Sequence, residues 1–281
     1  MKSSDMINRL LFGTAGVPIG CKERSSEEGI RYVRELGLDC MELEFVRGVR
    51  MSEESAKKLK PVAEENEIVL TAHAPYYINL NSPDIEKIPA SIKRIYETAK
   101  IADFAGGYSI TFHAAYYMKS TKEQTYAAVK KAIKELIGQL KQDNNKIWIR
   151  PETTGKETQW GNMQEIIALS QEFDQILPCV DFAHLFSRSV GKINTKEDFI
   201  TVMKDIETAL GREAIKNMHI HMSGMNYGPK GEKNHLVMKE SEFNYKGVLD
   251  ILKDFNAKGV VICESPNIEE DAMLMKKYYE K

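Results

Sequence analysis

"YSITFHA" (residues 108–114) is a short run of β-branched and aromatic residues that ends on a histidine. "EIVLTAHA" (67–74), one unit upstream, has the same form and also ends on a histidine, His73. Runs of this length and composition read as buried strands. Six more occur: "RLLFG" (9–13), "CMELEF" (40–45), "KIWIRPE" (146–152), "ILPCVDF" (176–182), "NMHIHMS" (217–223) and "GVVICES" (259–265). Amphipathic helical patterns lie between them. "SEEGIRYVRELG" and "SEESAKKLKPVAEENE" open on serine followed by acids, which caps a helix and complements its dipole. "TKEQTYAAVKKAIKELIGQLK" sets Thr121 and Gln124 at capping-box spacing, and "TKEDFITVMKDIETALG" ends on Gly211, a C-cap. Eight strands therefore alternate with eight helices. Such alternation makes the strands parallel, with helices outside. Eight units predict a closed (β/α)8 barrel, an α/β TIM barrel spanning residues 1–281 as a single domain. A doubly wound open sheet would need a glycine-rich phosphate loop after its first strand, and "FGTAGVPIGCK" matches that only loosely.

The composition agrees with one large soluble barrel. The chain has 281 residues, 42% of them hydrophobic, enough to bury a sizeable core. A formal net charge of −2 excludes a bulk polycation, so a nucleic-acid partner would need a local basic surface. Cys21, Cys40, Cys179 and Cys263 are far apart and show no metal-ribbon spacing, which points to a reducing compartment. "MKSSDMINRLLFGTAG" lacks the apolar core of a signal peptide, and no stretch is apolar for long enough to span a membrane. A cytoplasmic protein with no membrane partner is expected.

In a barrel of this kind the chemistry sits at the C-terminal ends of the strands. There the sequence places Glu42 and Glu44, His73, His113, Glu152, Asp181 with His184, His219 with His221, and Glu264; His235 follows in the seventh loop. Any one histidine at a strand end is readily a structural residue. Imidazoles and carboxylates gathered at six consecutive strand ends are not explained by core packing, because buried carboxylates need a partner or a metal. The donor set contains His, Asp and Glu but no Cys at those ends, which suits Zn2+, with Mn2+ or Fe2+ as alternatives. It is too large for one tetrahedral ion and suits two or three. The βα loops add Arg47, Arg50, Lys119, Lys156, Arg188, Lys192, Lys230 and Lys233 against only Glu157 and Glu232. A basic rim on a chain that is not basic overall favours a phosphorylated or polyanionic ligand.

These residues resemble endonuclease IV, the apurinic/apyrimidinic endonuclease family among the xylose-isomerase-like barrels, over nearly the whole chain. "HAPYYINLNSPD" (73–84) resembles that family's His-Ala-Pro-Tyr-Leu-Ile-Asn-Leu-Ala-Ser-Pro segment. "PETTGKETQWG" (151–161), "CVDFAHLF" (179–186) and "ICESP" (262–266) resemble its Glu-Asn-Thr-Ala-Gly, Cys-x-Asp-x-x-His and Leu-Glu-Thr-Pro segments. The resemblance implies that His73, His113 and Glu152 hold one ion. A second would lie among Glu152, Asp181, Glu264 and a seventh-strand histidine, His221 in preference to His219 because it lies nearer the strand end. His184 and His235 would serve a third. Four departures stand out. Ala114–Ala115 replaces Pro-Gly, "HIHMSG" replaces His-Leu-Asn-Asp-Ser, and "GTAG" replaces Gly-x-His-x-Ser. The loop reads "GEKNHLVM" where the family has Asp-x-His, so Lys233 takes the aspartate position and Glu232 is the nearest carboxylate.

The resemblance thus implies metal-dependent hydrolysis of the DNA backbone at abasic sites, with Tyr76, Arg188 and Lys233 as candidate substrate contacts. Glu152 and Glu264 are the candidate catalytic carboxylates. On opposite walls they would equally suit an isomerase or epimerase acting on a small sugar or sugar phosphate. A barrel that only binds metal is a third reading, although a purely structural site needs just four ligands. Glu42 and Glu44 have no place in the nuclease scheme and read as ion-paired supports.

Overall fold

The computed structural model describes residues 7–281. The signal-peptide reading rests partly on residues 1–6, which lie outside these. Eight parallel strands surround one axis: β1 (Leu10–Ala15), β2 (Cys40–Glu44), β3 (Val69–His73), β4 (Ser109–Phe112), β5 (Trp148–Pro151), β6 (Cys179–Asp181), β7 (Met218–Met222) and β8 (Gly259–Cys263). Their order is β5-β4-β3-β2-β1-β8-β7-β6. Close approach is built in at Gly13, where a Cβ would fall 1.7 Å from the Cys40 carbonyl oxygen. The remaining seam, between β5 and β6, is joined by single bridges from Ile149 to Ile176 and from Glu152 to Cys179. The barrel is therefore nearly closed and is loosest where Glu152 leaves β5.

The helices form the outer layer, with the caps expected. Ser25 and Ser52 accept from the N–H groups of Glu28 and Ser55, and Thr121 with Gln124 closes a capping box. Gly211 ends the helix Lys196–Leu210 at φ 82°. Four connections are richer than the expected alternation. After β4 and β5 the short strands Ala115–Tyr116 and Gln159–Trp160 pair antiparallel. After β6 the chain makes three helices, the first of which, Phe182–Arg188, runs straight on from the strand because Asp181 caps it. After β7 an antiparallel hairpin pairs Gly224–Gly228 with Gly231–Leu236.

Pleating sends alternate residues of each strand into the barrel, and the interior is layered. The floor is apolar, with Leu11, Cys40, Val69, Tyr108 and Val260 packed together. The layer above is polar and buried: Glu42, Thr71, Ser109, Arg150 and His219. The top layer carries Glu44, His73, Glu152, Asp181, His221 and Glu264. Arg150 is 0% exposed and has no acidic partner among the described residues. Its guanidinium donates to the Pro178 carbonyl at 3.2 Å, the Asn217 carbonyl at 3.0 Å and the Tyr108 hydroxyl at 3.2 Å. Those acceptors precede β6, β7 and β4, so one side chain of β5 ties the lower barrel together across its weak seam. Arg150→Met keeps the volume but strands these buried acceptors. It should cost about 2–4 kcal/mol and lower Tm by roughly 5–12 °C in a thermal melt.

Candidate metal centre

Glu152 stands at the seam with both carboxylate oxygens turned to histidines. Oε2 lies 3.4 Å from His73 Nε2, and Oε1 lies 3.2 Å from His113 Nε2, 3.0 Å from His184 Nδ1 and 3.6 Å from His221 Nδ1. The residue is buried, yet neither oxygen receives a well-formed hydrogen bond; Asp181 Oδ2, Glu264 Oε2 and His221 Nδ1 are in the same condition. Buried polar atoms left this way are costly. A divalent cation among them removes the cost, and the donor set of imidazole and carboxylate is suited to one.

Four groups among the described residues have donor atoms within 4.8 Å of one another; three consist of imidazoles and carboxylates alone: His73, His113 and Glu152; Glu152, Asp181, His221 and Glu264; and His184, Glu232 and His235; the fourth is Cys179, His219 and His221. Glu152 belongs to two of them. The Nδ1 atoms of three of these histidines have backbone partners. His73 Nδ1 lies 2.7 Å from the Ala74 carbonyl, His235 Nδ1 2.9 Å from that of Glu264, and His184 Nδ1, which also stands beside Glu152, 2.9 Å from that of Thr153. Donating Nδ1–H there leaves Nε2 bare, the usual arrangement behind a metal-binding histidine.

Glu42 decides between the two histidines of β7. Its Oε1 is 2.9 Å from His221 Nε2 and its Oε2 is 3.1 Å from His219 Nε2, while Thr71 Oγ1 donates to Oε2 at 2.7 Å. His221 thereby presents Nδ1 to Glu264 Oε1 at 3.4 Å. His219 has its other nitrogen 2.9 Å from Ser109 Oγ and so stands one layer behind the centre, between Glu42 and Ser109. Cys179 lies within reach of both rings, but burial pushes its thiol up to about 12.

The third group forms differently from the sequence expectation. The hairpin register runs Asn226 to Asn234 and then Tyr227 to Glu232, so Lys233 is bulged out. The bulge puts Glu232 and His235 on one side, and Glu232 Oε2 lies 3.7 Å from His184 Nε2. Lys233 is exposed. The residue that sequence spacing ranked second is the one beside the histidines, and no local residue type announces the bulge.

The other candidates separate clearly. Tyr76 is 65% exposed at the mouth, its ring centroid 6.0 Å from that of His73. Arg188 turns away from the centre. Its guanidinium donates to Thr154 Oγ1 at 2.8 Å and the Gln159 carbonyl at 3.0 Å, holding the loop after β5. "INLNS" acts as a staple between rim loops, since Asn81 Nδ2 donates to the carbonyls of Tyr116 and Tyr117 at 2.9 and 3.2 Å. The "AAYY" loop is anchored through it.

The electrostatics are those of a charge well awaiting cations. Burial opposes the charged form of His73, but Glu152, Glu44 and Glu42 outweigh it and lift the imidazole to about 10. The carboxylates around His184 and His221 raise those rings too, against burial. Burial lifts Asp181 to about 6, whereas His221 overcomes burial to hold Glu264 at about 2.

With fold and geometry in hand, the chain belongs to the xylose isomerase-like TIM barrel family, whose pattern matches residues 30–278. The site is that of a metal-dependent enzyme of this superfamily. The chain is 48% identical over 270 residues to an uncharacterized protein of Methanocaldococcus jannaschii, covering 96% of this chain and 97% of that one. It is 28% identical to a probable endonuclease 4 of Aquifex aeolicus, over 65% of this chain and 64% of that protein. Among solved structures, a D-tagatose 3-epimerase-like protein superposes with TM-score 0.71 at 18% identity, covering 96% of this chain and 97% of that one. Endonuclease IV from Thermus thermophilus superposes with TM-score 0.70 at 16% identity, covering 97% of each.

Two outcomes test the centre. Glu42→Gln should keep the fold but misorient His221, weakening divalent-metal affinity about 10–100-fold in chelator competition. In the metal-free protein, histidines raised above their unfolded value of about 6.5 stabilise the fold fully below that pH, and the contribution is lost as pH climbs through the folded value. The metal-free Tm should therefore fall between about pH 6.5 and the His73 value of about 10. Metal-loaded protein, whose carboxylates keep a cationic partner, should hold its Tm.

Proposed function

We propose that this protein is a phosphodiesterase using two or three divalent ions, zinc being the best match to its donors, that incises DNA at abasic sites. The observation that carries the reading is Glu152, shared between two ligand groups, with a third group built beside it from the helix Phe182–Arg188 and the hairpin. One-ion sugar chemistry needs neither the sharing nor the third group. Ions held by these residues would lower the pKa of a bound water and offset negative charge on a phosphate. The chain's own residues bind and orient. Glu152, Asp181 and Glu264 set the anionic floor, and Glu42 and the backbone carbonyls of Ala74, Thr153 and Glu264 fix the rings.

The rim supports a polymer substrate. Arg47, Arg50, Lys119, Lys192, Lys230 and Lys233 are exposed in βα loops, and none is ion-paired among the described residues. Lysines on the outer helices, such as Lys57 and Lys58, pair instead with glutamates one turn away. The exposed large apolar side chains are also on this rim: Tyr76, Tyr77, Tyr116 and Met118, with Ile19, Val46, Ile85 and Val190. Positive charge interleaved with aromatic faces suits a nucleic-acid backbone and an unstacked nucleotide. A sugar epimerase is the second reading. It is favoured by the TM-score of 0.71 to the D-tagatose 3-epimerase-like structure and by the completeness of the Glu152, Asp181, His221 and Glu264 group on its own.

Protein purified without added metal should carry about two or three Zn, Mn or Fe equivalents by elemental analysis. It should incise duplex DNA bearing one abasic site, and chelator should abolish this. Glu152→Gln should lower the incision rate by about 10³-fold or more. One equivalent or none, with turnover of a ketose and no incision, would establish the epimerase instead.

A further inference from the structure

β2 sends two carboxylates into the barrel, and the centre accounts for one. Glu42 is held by His219, His221 and Thr71. Glu44, one layer higher, is the register partner of His73 on β3. It belongs to none of the three ligand groups. Among the described residues it has no ion pair, and its Oε1 is shut off from solvent with no hydrogen-bond donor. Every other acid of the top layer lies within 4 Å of an imidazole nitrogen; Glu44 acts on His73 only at longer range. Gly16, just past β1 with φ +86°, packs against it, since a Cβ there would lie 3.3 Å from Glu44 Cγ. Glu44 also lines an open depression of about 340 Å³ with Val46, Arg47, Arg50 and Met51 of the loop after β2.

We propose that Glu44 is a substrate-binding residue whose carboxyl oxygen takes a hydrogen bond from a hydroxyl of the sugar held over the metal centre. The inference rests on the proposed function for the presence of a sugar there. A carboxyl group exchanges hydrogen bonds with a hydroxyl and offers a phosphate no positive charge, so this wall suits the sugar. Phosphate is left to Arg47 and Arg50 at the outer edge of the depression. An acceptor with no internal donor to lose gains from one brought by the substrate.

The test compares wild type, Glu44→Gln and Glu44→Ala. Metal content is measured first, then binding and incision of two duplexes: one with a natural abasic site, whose deoxyribose carries a C1′ hydroxyl, and one with a tetrahydrofuran site, which lacks it. Calorimetric titration with D-tagatose and D-fructose forms a parallel arm. Expected is unchanged metal content in both variants, a wild-type preference of about tenfold or more for the hydroxyl-bearing duplex, and loss of that preference in Glu44→Ala. The same preference in all three proteins overturns the proposal while leaving the nuclease reading intact. Loss of metal from Glu44→Ala also overturns it, by making Glu44 a ligand. If wild type handles neither duplex but binds a ketose, the nuclease reading fails. Binding of that ketose weakened about tenfold or more by Glu44→Ala then upholds the sugar contact, and unchanged binding overturns it. Wild type binding none of the four probes overturns both.

Discussion

A buried carboxylate with both oxygens among imidazoles and no hydrogen bond is the constraint from which this barrel is built outward. Glu152 lies where the strand ring is weakest, joined to β6 by a single bridge, so cations bound to it would also brace the seam. Arg150, two residues earlier on the same strand, spans that seam lower down. Arg150 of β5 and Glu152 just beyond it are thus a cation that ties the lower barrel together and an anion that gathers the centre. The polar middle layer follows from the same requirement. Rings that present one nitrogen to an ion must have the other nitrogen fixed. Glu42 does this for His221 from inside the barrel, and backbone carbonyls do it for His73, His184 and His235.

The rim is organised by a second set of buried carboxylates. Glu269 accepts from the N–H groups of Ile19 and Gly20 at 2.9 and 2.7 Å, and Asp271 from that of Met238 at 2.7 Å. Both lie in the first turn of the last helix, Glu269–Tyr279, so this helix positions the loops after β1 and β7 together. Arg188 does the corresponding work on the loop after β5. Such loops need anchoring because their backbone is not paired in the ring, and the centre needs ligands from several of them at fixed distances.

The barrel and most of the centre were legible in the sequence because both obey short-range rules. Strand runs, capping residues and the placement of His and acids at strand ends depend on a few neighbouring positions. His73, His113, Glu152, Asp181, His184, His235 and Glu264 all come together. What was not legible depends on contacts distant in sequence or on register. Glu42 reads as an ion-paired support, and it is one, but its partners His219 and His221, far along the chain on β7, could not be named from spacing; Glu44, read the same way, has no ion pair among the described residues. Glu232 ranks behind Lys233 by spacing and moves ahead only through a bulge set by pairing with the other arm of the hairpin. Arg188 reads as a rim cation because composition cannot tell a guanidinium that faces solvent from one spent on backbone carbonyls.

The division between centre and rim bears on what separates a nuclease from an epimerase on one scaffold. The group of Glu152, Asp181, His221 and Glu264 comes from four strand ends and is rigid with the barrel. The third group is not. Glu232 and His235 come from the hairpin and His184 from a helix that continues β6, and the hairpin is tied to the loop after β5 through the Glu232 N–H and the Gly155 carbonyl at 3.0 Å. An ion there would join hairpin, helix and loop into one wall, next to the exposed lysines of the hairpin. The anionic floor is common to both chemistries. A second and third cation beside it would turn a site suited to a neutral sugar into one able to accept a phosphate, because each neutralises charge the floor would otherwise repel. If the proposed function holds, the ligands added around Glu152, rather than Glu152 itself, would be what fits this site to a phosphodiester.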